Sequence, residues 1–174
     1  MLPRPWRPRC ANGFCPVSTC RPVTRPNLSR RSAHERALGL LARREHARVE
    51  LEDKLRRAGI GADECTVVLD RLEADGLLSD VRFAEHFVRS RRERGYGPLK
   101  IAAELRQRSV SEIIVNSELA NLDDKWFEVA RSLYRKRWGA GEIPDYREKT
   151  RRARFLSGRG FPEDIVRRVL RDPG

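Results

Sequence analysis

The chain has 174 residues, of which 36% are charged and 39% hydrophobic, and its formal net charge is +12. This length suits one domain or several small units that share a core, and so high a charged fraction favours helices with much exposed surface. No apolar run approaches the roughly 20 residues of a membrane-spanning helix and no secretory signal is visible, so we expect a cytoplasmic protein without membrane attachment. The positive balance favours nucleic acid or an acidic protein groove as a partner.

The first 31 residues are predicted to form a flexible, disordered tail. They contain seven arginines, six of the ten prolines, no acidic residue and no helical or strand period. Cys10, Cys15 and Cys20 are separated by four residues each, whereas structural zinc takes four ligands in closer pairs, and the nearest histidine is His34. We therefore predict reduced cysteines and neither a metal nor another cofactor.

Residues 32 to 80 are predicted to form a first unit of three helices. The segment LGLLARREHARV is predicted to be one helix, and two further amphipathic helices follow it. Cys65 falls in an apolar stripe with Leu69 and Leu72, so it is predicted to be a core residue rather than a reactive thiol.

Residues 81 to 123 are predicted to form a second such unit, which begins with RFAEHFVRSRRERG. On this helix Phe83 and its apolar neighbours fall on one side, while Arg82, Arg89 and Arg92 project from the other. The first helix of the unit therefore carries a row of cations on its outer face.

The tetrapeptide GYGP separates the first two helices of this unit. Gly95 is suited to the left-handed conformation that ends a helix, Gly97 to a chain reversal, and Pro98 to the first turn of the next helix. The spacing differs from that of glycine-rich loops that cradle phosphate, so we interpret GYGP as a turn.

Residues 124 to 174 are predicted to form the third unit, which begins with WFEVARSLYRKRWG. A loop at residues 139 to 146 interrupts it, because its glycines and Pro144 break any helix. After the loop, a second row of cations follows i, i+4, i+7 spacing. The row consists of Arg147, Arg151 and Arg154, opposite Phe155 and Leu156.

Four sets of residues recur along the three units, with a period of 50 and then 51 residues. The sets are Leu55, Leu105 and Leu156; Gly59, Ser109 and Gly160; Ile60, Val110 and Phe161; and Leu69, Leu119 and Leu170. A three-helix unit this short cannot bury its apolar stripe alone, so neighbouring units must stack. The predicted fold is all-α, an elongated array of three tandem three-helix repeats. The alternative is that amphipathic helix pairs match at leucines by coincidence.

Catalytic chemistry has little support in this sequence. His34, His46 and His86 are predicted to lie on charged helical faces, and no serine or cysteine has a recognisable oxyanion turn. Carboxylates such as Asp70 and Glu73 have arginine neighbours, which is typical of a solvated helix face. We predict that the protein is not an enzyme.

Three stretches carry a family resemblance: ALGLLARREHARVELEDKL, LEADGLLSDVRFAEHFVRSRRERGYGPLKIAAEL and RARFLSGRGF. Together they resemble the bacterial regulatory protein RecX family, from about Ser32 to Leu170, most specifically where DGLLSDVRFAEHFVRSR precedes GYGP. Two features depart from the family pattern. Ser109 stands where glycine is usual, so a residue less suited to positive φ must close that turn, and the tail lies outside the resemblance.

The resemblance implies a modulator of the RecA recombinase, acting in homologous recombination, DNA repair and the SOS response. Members of the family bind within the groove of the RecA filament on DNA and inhibit ATP hydrolysis, strand exchange and RecA-assisted repressor cleavage. The expected partners are therefore the RecA filament and, weakly and without sequence preference, DNA. We expect a monomer.

Two groups of side chains are candidates for the surface that meets such a filament. They are Arg82, Arg89, Arg92, Tyr96 and Lys100 in the second unit, and Arg147, Arg151 and Arg154 in the third. For any single arginine the alternative is a solvated face, and for Tyr96 it is packing against the turn.

The rival function is that of a sequence-specific repressor with a helix-turn-helix. Such a protein needs one recognition helix and normally a dimer matched to a two-fold site. Here the basic residues are spread over the repeats and no separate dimerisation helix is visible. Binding to DNA of random sequence would discriminate between the two, because a repressor prefers its own site by roughly a thousandfold or more.

Overall fold

The computed structural model describes residues 32–120, 122 and 125–172, and the predicted tail, residues 1–31, lies outside them. Within these ranges the chain forms nine α-helices and no strand. They are α1 (Ala33–Leu41), α2 (Arg48–Arg57), α3 (Ala62–Ala74), α4 (Asp80–Glu93), α5 (Pro98–Arg106), α6 (Glu112–Ala120), α7 (Trp126–Trp138), α8 (Tyr146–Gly158) and α9 (Glu163–Arg171). The all-α prediction is confirmed. None of these helices is both long and apolar enough to cross a membrane.

Polar side chains mark the starts of several helices. Ser32 and Glu35 form a capping box at α1, in which the Ser32 hydroxyl accepts from the Glu35 N–H at 3.1 Å and the Glu35 carboxylate accepts from the Ser32 N–H at 3.0 Å. Asp145 caps α8 by accepting from the Glu148 N–H at 2.7 Å. Pro98 occupies the first turn of α5, as the sequence predicts.

The prediction for the first helix of the chain is wrong. LGLLARREHARV is not one helix, because α1 ends at Leu41 and residues 42–47 connect it to α2. The connection buries Ala47 and His46, which are 0% and 2% exposed, so His46 does not lie on a charged face as predicted. The His46 Nδ1 lies 2.9 Å from the carbonyl oxygen of Arg44. The segment contains no helix-breaking residue, so its local sequence favours a continuous helix. Burial of these two side chains outweighs that local preference.

The same turn ends the second helix of each repeat. In each turn an N–H donates to the carbonyl of the leucine five residues earlier: Ile60 to Leu55 at 3.2 Å, Val110 to Leu105 at 3.3 Å and Phe161 to Leu156 at 3.2 Å. The residue before that N–H is left-handed, with φ of +86° at Gly59, +58° at Ser109 and +89° at Gly160. All three leucines are at most 1% exposed. The predicted repeat is therefore confirmed at the level of its backbone hydrogen bonds.

Two apolar cores lie among the described helices. The first repeat has its own core, which consists of Ala37, Leu51, Leu55, Cys65, Leu69, Leu72 and Leu78. The second and third repeats share one core, which includes Phe83, Ile101, Val115, Trp126 and Leu156. Ala47 is the residue of the first repeat that is buried in this shared core. The second and third repeats thus form one packed body beside a separately packed first repeat.

The GYGP turn packs against the turn that ends α8. The Gly97 N–H donates to the Arg159 carbonyl at 2.8 Å, and the Leu99 N–H donates to the Gly160 carbonyl at 3.0 Å. A Cβ on Gly97 would lie 2.4 Å from the Gly160 carbonyl carbon, and a Cβ on Gly160 would lie 2.4 Å from Cβ of Lys100. Gly97 itself has a φ of −88°. Glycine is needed there because of this close approach between repeats, and not for the chain reversal that the sequence predicts.

Candidate partner-binding surface

One face of α8 presents cations and an aromatic ring to the surface. It lines a shallow depression of about 460 Å³, formed by Tyr146, Arg147, Thr150, Arg151 and Arg154. We call this set the basic face of α8. The five residues fall on three successive turns of the helix, as Tyr146 and Arg147, then Thr150 and Arg151, then Arg154, and therefore project to the same side. The Tyr146 side chain is 84% exposed. The structure thus brings the three predicted arginines of the third repeat together.

A buried arginine on the opposite face holds α8 against α7. Arg152 is 7% exposed, its Nε donates to Glu148 at 2.8 Å and its Nη1 donates to the Tyr134 hydroxyl. Its guanidinium also lies 5.4 Å from the centre of the Trp138 ring. A paired, buried guanidinium is costly to separate from its partners. This anchor orients the helix so that the basic face points outward.

The cations of the basic face differ in how far the protein already neutralises them. Glu148 accepts from Arg152 and from Arg151, and these hydrogen bonds lower the pKa of its carboxyl. Glu148 is therefore ionised and offsets the charge of Arg151. The side chains of Arg147 and Arg154 make no hydrogen bond or ion pair with any residue in the described ranges. These two guanidinium groups keep all of their donors for a partner.

The three predicted arginines of the second repeat lie in different settings. Arg82 donates from Nε to Glu45 at 3.1 Å and so links α4 to the connection after α1. Arg89 donates to Glu85 at 2.7 Å on its own helix. Arg92 lines a groove beside α7, and its side chain has no hydrogen-bond or ion-pair partner among the described residues.

Tyr96 and Lys100 lie at the junction between the second and third repeats. The Lys100 Nζ is 4.8 Å from the centre of the Tyr96 ring, and the guanidinium of Arg159 is 5.1 Å from it. Tyr96 is half-buried and packs on the shared core. Cations of the protein itself therefore already contact this ring.

Two kinds of residue at this surface were not predicted from the sequence. Tyr146 and Thr150 complete the basic face, and the available signal was their spacing: Thr150 lies three positions from Arg147 and four from Arg154, and Tyr146 lies four positions before Thr150. Arg152 was missed because it is buried, although Glu148 four residues earlier indicates an i, i+4 pair.

The chemistry of the basic face is that of anion binding. Guanidinium groups bind phosphate or carboxylate oxygens through paired N–H donors, and an exposed tyrosine ring adds a stacking or apolar contact. Within the described ranges, no group of three or more His, Cys, Asp or Glu side chains is arranged to hold a metal ion. We therefore interpret the face as a binding surface.

Comparisons with known proteins match all three repeats. Family models for the first, second and third three-helix domains of RecX match residues 33–72, 79–119 and 123–170. The regulatory protein RecX of Halorhodospira halophila is 48% identical over 136 residues, which are 78% of this chain and 84% of that protein. The regulatory protein RecX of Pseudomonas syringae pv. tomato is 44% identical over 139 residues, which are 79% of this chain and 89% of that protein.

Solved structures show the same architecture. The crystal structure of RecX from Lactobacillus salivarius superposes with a TM-score of 0.68 at 25% identity, covering 80% of this chain and 92% of that one. A second crystal structure of a regulatory protein RecX has a TM-score of 0.71 at 21% identity, covering 80% of this chain and 72% of that one, and supports the fold alone.

Proposed function

The chain belongs to the RecX family of regulatory proteins, and we propose that it is a negative regulator of the RecA recombinase. It binds within the groove of the RecA filament on DNA, where it inhibits ATP hydrolysis, strand exchange and RecA-assisted cleavage of repressors. It acts as a monomer in the cytoplasm, in the SOS response and in homologous recombination. Its own affinity for DNA is weak and independent of sequence.

The observation that supports this proposal most directly is the basic face of α8. Its unpaired Arg147 and Arg154 stand on a helix that the buried Arg152 holds in place. A filament on DNA offers phosphate and carboxylate oxygens along a groove, and preoriented guanidinium groups bind such oxygens strongly. A protein that also contacts the filament through other repeats gains further affinity, because its later contacts form within one complex.

The test reverses the two unpaired charges. In the variant Arg147→Glu with Arg154→Glu, each substitution removes an attraction and adds a repulsion. We expect the concentration that half-inhibits ATP hydrolysis by RecA on single-stranded DNA to rise about tenfold or more at low salt. The difference should shrink as the salt concentration rises, because screening weakens exposed charges.

A matched control is Arg57→Glu with Arg167→Glu, which changes the net charge by the same amount. Both control side chains are exposed, at 79% and 68% for Arg57 and Arg167, and lie outside the basic face. We expect the control to inhibit RecA within about twofold of the parent, since exposed ion pairs contribute little. If the basic-face variant keeps its helicity and inhibits as well as the parent, α8 does not contact the filament. Strong preference for one DNA sequence would instead favour a repressor.

A further inference from the structure

A second cationic surface lies between the end of α4 and α7. It is a groove of about 630 Å³, and one wall is the turn after α4 while the other is one side of α7. We call it the α4–α7 groove. Its described lining residues are all different from those of the basic face of α8. Of the six arginines predicted from the sequence to meet the filament, Arg92 alone lines this groove, and the proposed function is tested at the basic face of α8 instead.

The floor of the groove is aliphatic. Gly95, with a φ of +74°, lets the turn after α4 approach α7 so closely that a Cβ on it would lie 2.9 Å from Cδ1 of Leu133. Leu133 and Val129 are half-buried and line the groove along α7. No aromatic ring is among the described residues that line it. This floor favours apolar side chains on a partner.

The rim of the groove carries cations that the described fold does not neutralise. Arg92 and Arg94 stand on one wall, and Lys125 and Lys136 on the other. None of the four side chains forms a hydrogen bond or an ion pair with a residue in the described part of the chain.

The other arginines of α4 behave differently from these four. Arg82, Arg89 and Arg91 pair with Glu45, Glu85 and Glu104 at 3.1, 2.7 and 2.7 Å. Two carboxylates, Glu93 and Glu128, also line the groove, and Glu128 already pairs with Arg131 at 3.2 Å. Among the described lining residues, four cations against two carboxylates leave the groove positive, so it complements a negatively charged partner.

From this arrangement we infer that the α4–α7 groove docks an acidic segment of a partner protein, with aliphatic side chains on the floor and carboxylates against the rim. An apolar centre within a charged rim is the usual anatomy of a protein interface. Single-stranded nucleic acid is bound differently, through aromatic rings on which its bases stack. The basic face of α8 has such a ring in Tyr146, and the groove has none among its described residues.

The test uses a fluorescent synthetic peptide of 14 residues, designed so that a helix would carry Leu on one face and Glu on the other. We expect the parent protein to bind it. In Arg92→Glu with Lys136→Glu, which reverses one unpaired charge on each wall, the Kd should rise about tenfold or more. Replacing every Glu of the peptide by Gln, or every Leu by Ser, should weaken binding to the parent by a similar factor. Arg57→Glu with Arg167→Glu, whose exposed side chains lie outside both the groove and the basic face, is the matched control and should bind within about twofold of the parent.

Two results would overturn the inference. One is equal peptide binding by the groove variant and the parent, with both shown to be helical by circular dichroism. The other is displacement of the peptide by a single-stranded oligonucleotide whose own affinity falls in the groove variant, which would make the groove a nucleic-acid surface. If the double variant loses helicity, the single change Lys136→Glu at an exposed position replaces it. RecA inhibition is measured separately, so a failure of the proposed function leaves this test intact.

Discussion

Ser109 holds a backbone conformation that glycine occupies in the other two repeats. Its φ is +58°, against +86° at Gly59 and +89° at Gly160. A residue with a Cβ is strained in the left-handed region by about 1–2 kcal/mol, whereas glycine enters it freely but loses about 0.5–1 kcal/mol more in chain entropy on folding. The second repeat therefore ends its middle helix at a net cost that the other two repeats avoid.

Relieving this strain should stabilise the protein. We expect Ser109→Gly to raise the free energy of unfolding by up to about 1 kcal/mol, the strain relieved less the entropy lost. The matched change Gly59→Ser should lower it by a comparable amount, because no atom of the described residues lies within 4 Å of an added Cβ there, so only the positive φ is tested. Urea denaturation of both variants measures the two effects. If neither substitution changes the free energy of unfolding, the turn tolerates either residue.

Features that depend on local sequence were predictable at this scale. The unusual conformation of Ser109 was predictable from the sequence, because the turn after this helix requires positive φ and the other two repeats have glycine there. The partners of the candidate arginines were not predictable in the same way. Glu45 and Arg82 pair across 37 residues, and Tyr134 and Arg152 across 18. Such pairs depend on which helix faces meet, within a repeat or between repeats, and the helical period of a single helix does not specify that.

Helix boundaries show the same limit at the scale of elements. Capping and breaker residues correctly placed the start of α5 at Pro98 and predicted an interruption before α8. The connection at residues 42–47 contains neither glycine nor proline, so the local signals continued a helix through it. That connection exists because His46 and Ala47 are buried, which is a consequence of tertiary packing.

The start of α5 meets the end of α8 through backbone groups. The first N–H groups of a helix lack partners within it, as do the last carbonyls. Here the Gly97 and Leu99 N–H groups donate to the Arg159 and Gly160 carbonyls, so each helix end satisfies the other. The opposite partial charges of the two ends add to this attraction. The junction therefore needs both glycines for its backbone contact, and Lys100 and Arg159 add cation–ring contacts to Tyr96 beside it.

A single methyl group at this junction should be strongly destabilising. We expect Gly97→Ala to lower the free energy of unfolding by about 1–3 kcal/mol, because overpacking against backbone cannot be relieved by a rotamer change. Gly61→Ala is the matched control, since Gly61 also precedes a helix with negative φ but has no atom of the described residues within 4 Å of an added Cβ. We expect it to change stability by less than about 1 kcal/mol. Equal melting temperatures for the two variants would refute the close-packed junction.

At the scale of the whole described body, the first repeat has a buried, titratable histidine as well as a core of its own. His46 is buried with Nδ1 on the Arg44 carbonyl, and its Nε2 accepts from the Lys54 ammonium at 2.7 Å. Burial lowers the pKa of His46 below 6.5, and the charges of Arg44 and Lys54 act in the same direction. Burial raises the pKa of Glu50, but hydrogen bonds from Arg44 and Lys54 outweigh it and lower the pKa from 4.5 to about 2.

Both shifts make the first repeat sensitive to acid. Below pH 6.5 His46 becomes protonated in the unfolded chain, whereas its lowered pKa keeps it neutral in the folded chain. The unfolded state then binds more protons, so the free energy of unfolding decreases as the pH decreases. The His46 contribution is lost progressively from pH 6.5 down to the lowered pKa. The Glu50 contribution is complete above pH 4.5 and is lost as the pH falls towards about 2. Moving from pH 7 to pH 5 therefore weakens the first repeat through His46.

Two optical probes can separate the first repeat from the rest. Trp126 and Trp138 both lie in α7, so after Trp6→Phe the tryptophan emission reports the third repeat, whereas circular dichroism reports every helix. We expect the dichroism midpoint on heating to fall further below the emission midpoint at pH 5 than at pH 7, because transitions that do not coincide reveal separate unfolding units. In His46→Asn, which keeps a donor for the Arg44 carbonyl but does not titrate, the gap should be the same at both pH values. If instead both midpoints of the parent fall together, the three repeats unfold as one unit and His46 does not weaken the first repeat selectively.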